Sequence, residues 1–160
     1  MGEIFYGRCD TCNLRLKSRY HTLSRNIERH QFSHAENMEQ SNTCEVLQSD
    51  RLTQYCGEAC CTVGVYSQLR DRGIEFVFDE SGSTLPCSKC GRQLDMRAPH
   101  IAYEVMDQTE IRTPWLHSVE PHDSEIVARL CLKCDPGIAT DFEVNVAREK
   151  KEEILEFTAV

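Results

Sequence analysis

Four close-set pairs of cysteines constrain this chain more than anything else in it. Cys9 and Cys12 have the form Cys-x-x-Cys and so do Cys87 and Cys90, while Cys56 and Cys60, then Cys131 and Cys134, form two later pairs. In Pro86-Cys87-Ser88-Lys89-Cys90-Gly91 the spacing turns backbone amides toward two thiolates, and the glycine lets the chain double back. Closely spaced thiols become disulfides in an exported chain and metal ligands in an intracellular one. No stretch combines a basic start, an apolar run and a small-residue cleavage site. The longest apolar runs are far below the roughly 18 residues that cross a bilayer. The expected location is therefore cytoplasmic, and the expected state of the pairs is metal-bound.

The pairs recur in order, which suggests an internal duplication. Cys9, Cys12 and Leu16 match Cys87, Cys90 and Leu94 at an offset of 78 residues. The stretch from His21 to Glu28 lies over His100 to Asp107, and Arg51 to Cys56 lies over Ile126 to Cys131. These matches divide the chain into modules at 1–80 and 81–160. Each module reads as a cysteine knuckle, a strand (20–28 or 101–106), a polar loop (30–49 or 108–124), a short return strand and a second cysteine pair that opens a helix. In the first helix Cys61, Val65 and Leu69 repeat at i, i+4, i+8, and Arg72-Gly73 supplies a stop. In the second, Asp135-Pro136 begins a stripe of Ile138, Phe142 and Val146. Short strands at 74–78 and 154–157 are expected after the helices. Neither half has the apolar content for a large core, so a metal staple in each makes physical sense.

The expected fold is thus small, α+β and metal-stabilised, with two tandem modules of knuckle, β-hairpin and helix. That plan resembles the treble-clef zinc finger, and its tandem form is similar to LIM-type double-finger adaptors. The ligand pairs here lie 43 and 40 residues apart and no His-x-x-Cys occurs, unlike the LIM pattern. The resemblance implies one zinc ion on Cys9, Cys12, Cys56 and Cys60 and a second on Cys87, Cys90, Cys131 and Cys134, two per chain. Cys60-Cys61 offers a choice at the first site: Cys60 has the ligand spacing, whereas Cys61 lies on the apolar stripe. Four thiolates about 2.3 Å from zinc leave no position open for a substrate.

Three functional readings compete. A non-enzymatic interaction protein binding another protein, an adaptor, inhibitor or regulator, is the leading one. Trp115, the sole tryptophan, stands beside Leu116 in a polar stretch and would anchor a contact, unless the loop folds back and buries it. The net charge of −8 falls to about −12 once eight thiolates hold two zinc ions, which suits a basic partner. A second reading is enzymatic. His34-Ala35-Glu36 and Pro86-Cys87-x-x-Cys90 resemble the zinc deaminase signature, which implies His34, Cys87 and Cys90 as ligands and Glu36 as proton shuttle on a nucleobase or nucleoside. The 49 residues between Glu36 and Pro86, and the prior claim of Cys131 and Cys134 on the same pair, rank it lower. A third reading is single-stranded nucleic-acid binding by the basic stretch 8–29, where Arg8, Arg15, Lys17, Arg19, Arg25 and Arg29 face Asp10 and Glu28, with Tyr6 and Tyr20 for stacking. Its overall acidity argues against a charge-driven clamp on nucleic acid. Cys44 has no counterpart in the second half and reads as an unpaired thiol. His21 and His100 match across the repeat and are expected to make structural hydrogen bonds.

Overall fold

The computed structural model describes residues 4–33, 41–76, 84–135, 137, 138 and 148. In chain order its elements are β1 (Arg19–Ser33), β2 (Ser41–Tyr55), α1 (Glu58–Asp71), β3 (Thr84–Pro86), β4 (Gln93–Asp95), β5 (His100–Arg112) and β6 (His117–Leu130), followed by a single 3-10 turn over Leu132–Cys134. The molecule is small and α+β, with mostly antiparallel sheet and one helix among the described residues. Two long hairpins, β1–β2 and β5–β6, join along β1 and β5 into a four-stranded sheet of order β2-β1-β5-β6. The two halves of the chain therefore share one sheet.

The stretches expected to be polar loops, 30–49 and 108–124, are mostly strand. In the second hairpin the turn is confined to residues 113–116, and residues 34–40, between β1 and β2, lie outside the described residues. These arms carry few buried side chains, so hydrophobic alternation does not announce them. Cross-strand pairing of backbone groups holds them, with β-branched Thr43, Val46, Thr109, Ile111 and Val119 favouring the pleat. The expected strand at 74–78 is not formed over 74–76. Phe142, Val146 and the segment 154–157 lie outside the described residues.

α1 follows from its sequence. Cys61, Val65 and Leu69 bury one stripe, as the spacing predicts. The helix ends in a Schellman cap: Gly73 N–H donates to Arg70 C=O at 3.0 Å and Ile74 N–H to Leu69 C=O at 2.9 Å. Gly73 takes φ +69°, and buried Ile74 closes over Leu69 in the same core. Gly64 lets the helix cross directly over the ring of Tyr55, the last residue of β2.

Strand alternation gives the central pair two unlike faces. Leu23, Arg25 and Ile27 stand opposite Val105, Tyr103 and Ile101, and this apolar face is joined to α1 through a pocket lined by Val65, Phe76, Val105 and Val127. The other face carries Tyr20, Thr22, Asn26, Glu28 and His30 opposite Gln108, Met106, Ala102 and His100. It is polar and yet buried. Burial of this kind is tolerable only when the groups bond one another, and much of the face does so, with Ser49 Oγ donating to Asn26 at 2.7 Å and Arg51 to Tyr20 Oη at 3.2 Å, while Gln108 Nε2 and His100 Nε2 have no hydrogen-bond partner.

Irregularities of the two hairpins coincide. In β1–β2 the register slips after Leu23 and after Ile27, leaving Leu52 and Leu47 unpaired in β2. In β5–β6 it slips after Tyr103 and after Asp107, leaving Val127 and His122 unpaired in β6. The slips on β5 lie eighty residues beyond those on β1, and the extra residues of β6 seventy-five beyond those of β2. The bulges thus set His100 over Tyr20, one residue away from the sequence match to His21.

Candidate metal centres

Each hairpin begins at a cysteine knuckle and ends at a second cysteine pair, so closing the hairpin brings four sulfurs together. Cys9, Cys12, Cys56 and Cys60 form one group and Cys87, Cys90, Cys131 and Cys134 the other, each with its sulfurs within 4.8 Å of one another.

The two knuckles are built alike. Cys9 N–H donates to Leu14 C=O at 2.8 Å and Asn13 N–H to Cys9 C=O at 2.9 Å; the corresponding bonds are Cys87 to Arg92 at 2.7 Å and Gly91 to Cys87 at 2.9 Å. The reversal needs a left-handed residue, which is Asn13 at φ +63° in one and Gly91 at φ +75° in the other. Each knuckle is also pinned to the end of its own hairpin. Asp10 N–H donates to Gln54 C=O at 2.9 Å while Gln54 N–H donates to the Asp10 carboxylate at 2.8 Å. In the same way Ser88 N–H donates to Arg129 C=O at 2.7 Å and Arg129 N–H to Ser88 Oγ at 3.1 Å.

The sulfur geometry fits a tetrahedral ion. Cys12–Cys56 are 3.6 Å apart, Cys87–Cys134 3.7 Å, Cys90–Cys131 3.8 Å and Cys131–Cys134 3.4 Å. A tetrahedron with zinc–sulfur bonds of about 2.3 Å has edges of about 3.8 Å. These separations are far beyond the roughly 2.05 Å of a disulfide, and all ten cysteines are free.

Backbone amides prepare one thiolate in each group. At Cys9 burial is the largest effect and pushes the thiol up, but the amides of Cys12, Cys56 and Thr11 outweigh it and bring it down to about 6. Cys87 is brought down to about 6 against the same burial, by the amides of Cys90, Cys131 and Lys89. Burial first, and then hydrogen bonding to neighbouring sulfurs, pushes Cys56 up to about 12 and Cys134 up as well. A dication is what lets four thiolates coexist in one group.

Cys60 points into the first group and Cys61 into the core, where burial pushes its thiol up to about 11. Cys131 and Cys134 flank a 3-10 turn, and the helical residues Gly137 and Ile138 follow.

The other residues singled out from sequence are dispersed. His34 and Glu36 lie outside the described residues, and Cys87 and Cys90 stand among four sulfurs. Trp115 is 93% exposed and Leu116 55%, at the turn between β5 and β6. Several arginines of the basic stretch are engaged within the fold: Arg19 with Asp107 at 2.8 Å, Arg25 with Asp135 and Asp50 at 2.9 Å, and Arg29 with Glu45 at 2.8 Å. His100 Nδ1 bonds Ala98 C=O at 2.9 Å, whereas His21 Nδ1 is buried without a hydrogen-bond partner. Cys44 lies beside Glu28, its Sγ donating to Oε2 at 3.3 Å. Sequence alone places Glu28 as an acid within the basic stretch 8–29 and His30 at the start of an expected polar loop. The signal was the i, i+2 spacing of Glu28 and His30 on a strand, visible only once that strand is known to reach Ser33.

Two four-cysteine centres able to hold metal on a small antiparallel α+β framework define the class of this protein. No helix among the described residues is long and apolar enough to cross a membrane. Comparison with known families, curated proteins and solved structures finds no significant match to the chain.

Proposed function

We propose that the protein is a non-enzymatic zinc protein whose two closed sites, Cys9/Cys12/Cys56/Cys60 and Cys87/Cys90/Cys131/Cys134, hold rigid a sheet that displays the turn between β5 and β6 to another protein. The observation that carries this reading is the gathering of four sulfurs within 4.8 Å of one another at the base of each hairpin. Thiolate-only donors select zinc over harder cations, and a fourth sulfur takes the place a substrate would need.

The two modules descend from one duplicated unit of knuckle, hairpin and ligand pair. Its support is the recurrence of the bulges, of the left-handed knuckle residue and of the knuckle-to-hairpin clip. In the first module Cys60 sits in the opening turn of α1, the treble-clef arrangement. The surface offered to a partner is the turn around Trp115 and Leu116. Exposure of so large an apolar side chain carries no folding benefit and matches an interface anchor.

Cobalt(II) reconstitution tests the sites. The full chain should develop thiolate-to-cobalt charge-transfer absorption for two tetrathiolate ions, and Cys90→Ser should lose about half of it; unchanged absorption in that variant overturns the ligand set. Trp115→Ala should abolish capture of a co-purifying protein while thermal unfolding and zinc content stay unchanged. Retention of that protein by the variant rejects the docking surface.

A further inference from the structure

A third group of potential ligands stands on the buried polar face, away from both cysteine centres. Glu28 and His30 occupy alternate positions of β1, and His100 lies directly across from Glu28 on β5. Their side chains are 4%, 10% and 2% exposed. His30 Nε2 is 3.2 Å and His100 Nε2 3.4 Å from the same oxygen, Oε1 of Glu28, and one donor atom from each residue lies within 4.8 Å of the others.

We propose that Glu28, His30 and His100 bind a third divalent transition-metal ion, of the zinc class, through two imidazole nitrogens and one carboxylate oxygen. Donor chemistry supports the assignment. His100 Nδ1 is bonded to the carbonyl of Ala98 at 2.9 Å, so Nδ1 carries a hydrogen and Nε2 is the ring nitrogen placed to meet an ion. That nitrogen is buried with no hydrogen-bond partner and faces a carboxylate oxygen that is itself an acceptor. His30 Nε2 is within hydrogen-bond distance of Oε1, and a cation placed between the three donor atoms would bond both nitrogens and the carboxylate at once. Fixing of the far nitrogen by a backbone carbonyl is the usual support of a metal-binding histidine.

The dimensions agree as well. Zinc bonds of about 2.0–2.1 Å to nitrogen and oxygen give tetrahedral edges of about 3.3 Å, and the two separations from Oε1 are 3.2 and 3.4 Å. Cys44, across from His30 on β2, donates to the second carboxylate oxygen and so orients Glu28. Glu104, on the same face of β5, adds negative charge near Glu28.

The experiment is a zinc count on the full chain after equilibrium dialysis, with a parallel cobalt(II) spectrum. The expected result is one ion beyond those held by thiolates in wild type. That ion should be lost in His100→Ala and in Glu28→Gln with the thiolate-to-cobalt bands intact. The third cobalt should add d–d absorption without further charge transfer from sulfur. If His100→Ala fails to fold, the less buried His30→Ala gives the same comparison. Complete thiolate bands with no further ion in wild type would overturn the proposal, leaving a protonated histidine beside Glu28 in the ion's place. Failure of the thiolate bands themselves would instead strike the two cysteine sites, since the third ion is counted separately from them.

Discussion

Replacing Gly64 by alanine is a substitution whose sign the structure decides against ordinary expectation. In an exposed helix interior, Gly→Ala stabilises by about 1 kcal/mol because alanine loses less backbone entropy. At position 64, however, a Cβ would lie 2.1 Å from Cε1, 2.6 Å from Cζ and 2.7 Å from Oη of Tyr55. Carbon atoms in good contact sit about 3.5–4.0 Å apart, so the overlap exceeds an ångström. Tyr55 cannot swing aside: it is 1% exposed and its hydroxyl accepts from Thr53 Oγ1 at 2.6 Å. Relief has to come from lifting α1, and overpacking of this kind costs about 1–3 kcal/mol or more. Setting that against the gain of about 1 kcal/mol leaves a net loss of roughly 0–2 kcal/mol or more. Tyr55 precedes Cys56 and α1 carries Cys60, so the same displacement should weaken metal binding at the first cysteine site. Guanidinium unfolding of the zinc-loaded chain reads the first effect and competition with a chelator the second. Val63→Ala, at an exposed neighbouring position, serves as the control. A Gly64→Ala protein about 1 kcal/mol more stable than wild type, with unchanged zinc affinity, would refute the packing of α1 on Tyr55.

Glu110 is buried and accepts hydrogen bonds from Tyr20, Arg112 and His117. Burial is the largest effect and pushes its carboxyl up, but these donors outweigh it and hold it below the usual range. A depressed folded-state value stabilises the protein above the unfolded-state value of about 4.3, and the stability is lost as pH falls through the lower folded value. Glu110→Gln should therefore cost about 1–3 kcal/mol at neutral pH and flatten the acid limb of stability, read from denaturant unfolding between roughly pH 3 and 7. At the neighbouring cysteines, Cys61→Ala should keep the first site's cobalt charge transfer and Cys60→Ser should lose it. The reverse result would exchange their roles.

How much the sequence reveals depends on which force shapes each part. Cysteine spacing announces the two knuckles because tetrahedral closure tolerates few alternatives, and Cys61, Val65 and Leu69 announce α1 because burial imposes a helical period. Length and pairing of the hairpin arms are not written in hydrophobicity. Residues 43–46 and 117–124 are largely exposed, so backbone pairing alone extends them, and a polar strand looks like a polar loop. The joining of β1 to β5 is hidden for another reason. It places Glu28, Asn26 and Tyr20 against His100, Ala102 and Gln108, a polar interface that no apolar pattern betrays.

That polar interface has two ends, and comparing them bears on what the first half–second half pairing is for. Because β1 and β5 run antiparallel, the far end of each lies against the residues that precede the other: Arg112, at the end of β5, donates to Phe5 C=O at 3.3 Å, and His30, near the end of β1, donates its N–H to Met96 C=O at 2.7 Å. Displacement by eighty residues, the spacing of the bulges, carries Glu28 to Gln108 and His30 to Glu110, and carries Tyr20 to His100. At the end near Tyr20 the buried carboxylate is Glu110, and its neighbours are donors: a phenol, the Arg112 guanidinium and His117, with Arg51 behind the phenol. Its charge is closed by protons the protein itself supplies. At the other end the carboxylate is Glu28, and the nearest nitrogens are those of His30 and His100, one of which has its hydrogen committed to Ala98. Equivalent places in one sheet thus differ in their donors: Glu110 is held by a phenol and a guanidinium among others, whereas Glu28 is held by Cys44 and faces two imidazoles, which can also ligate an ion. An added ion belongs at the imidazole end, and the end closed by Tyr20 and Arg112 supplies the internal control: substitutions there should change stability and leave the metal count untouched.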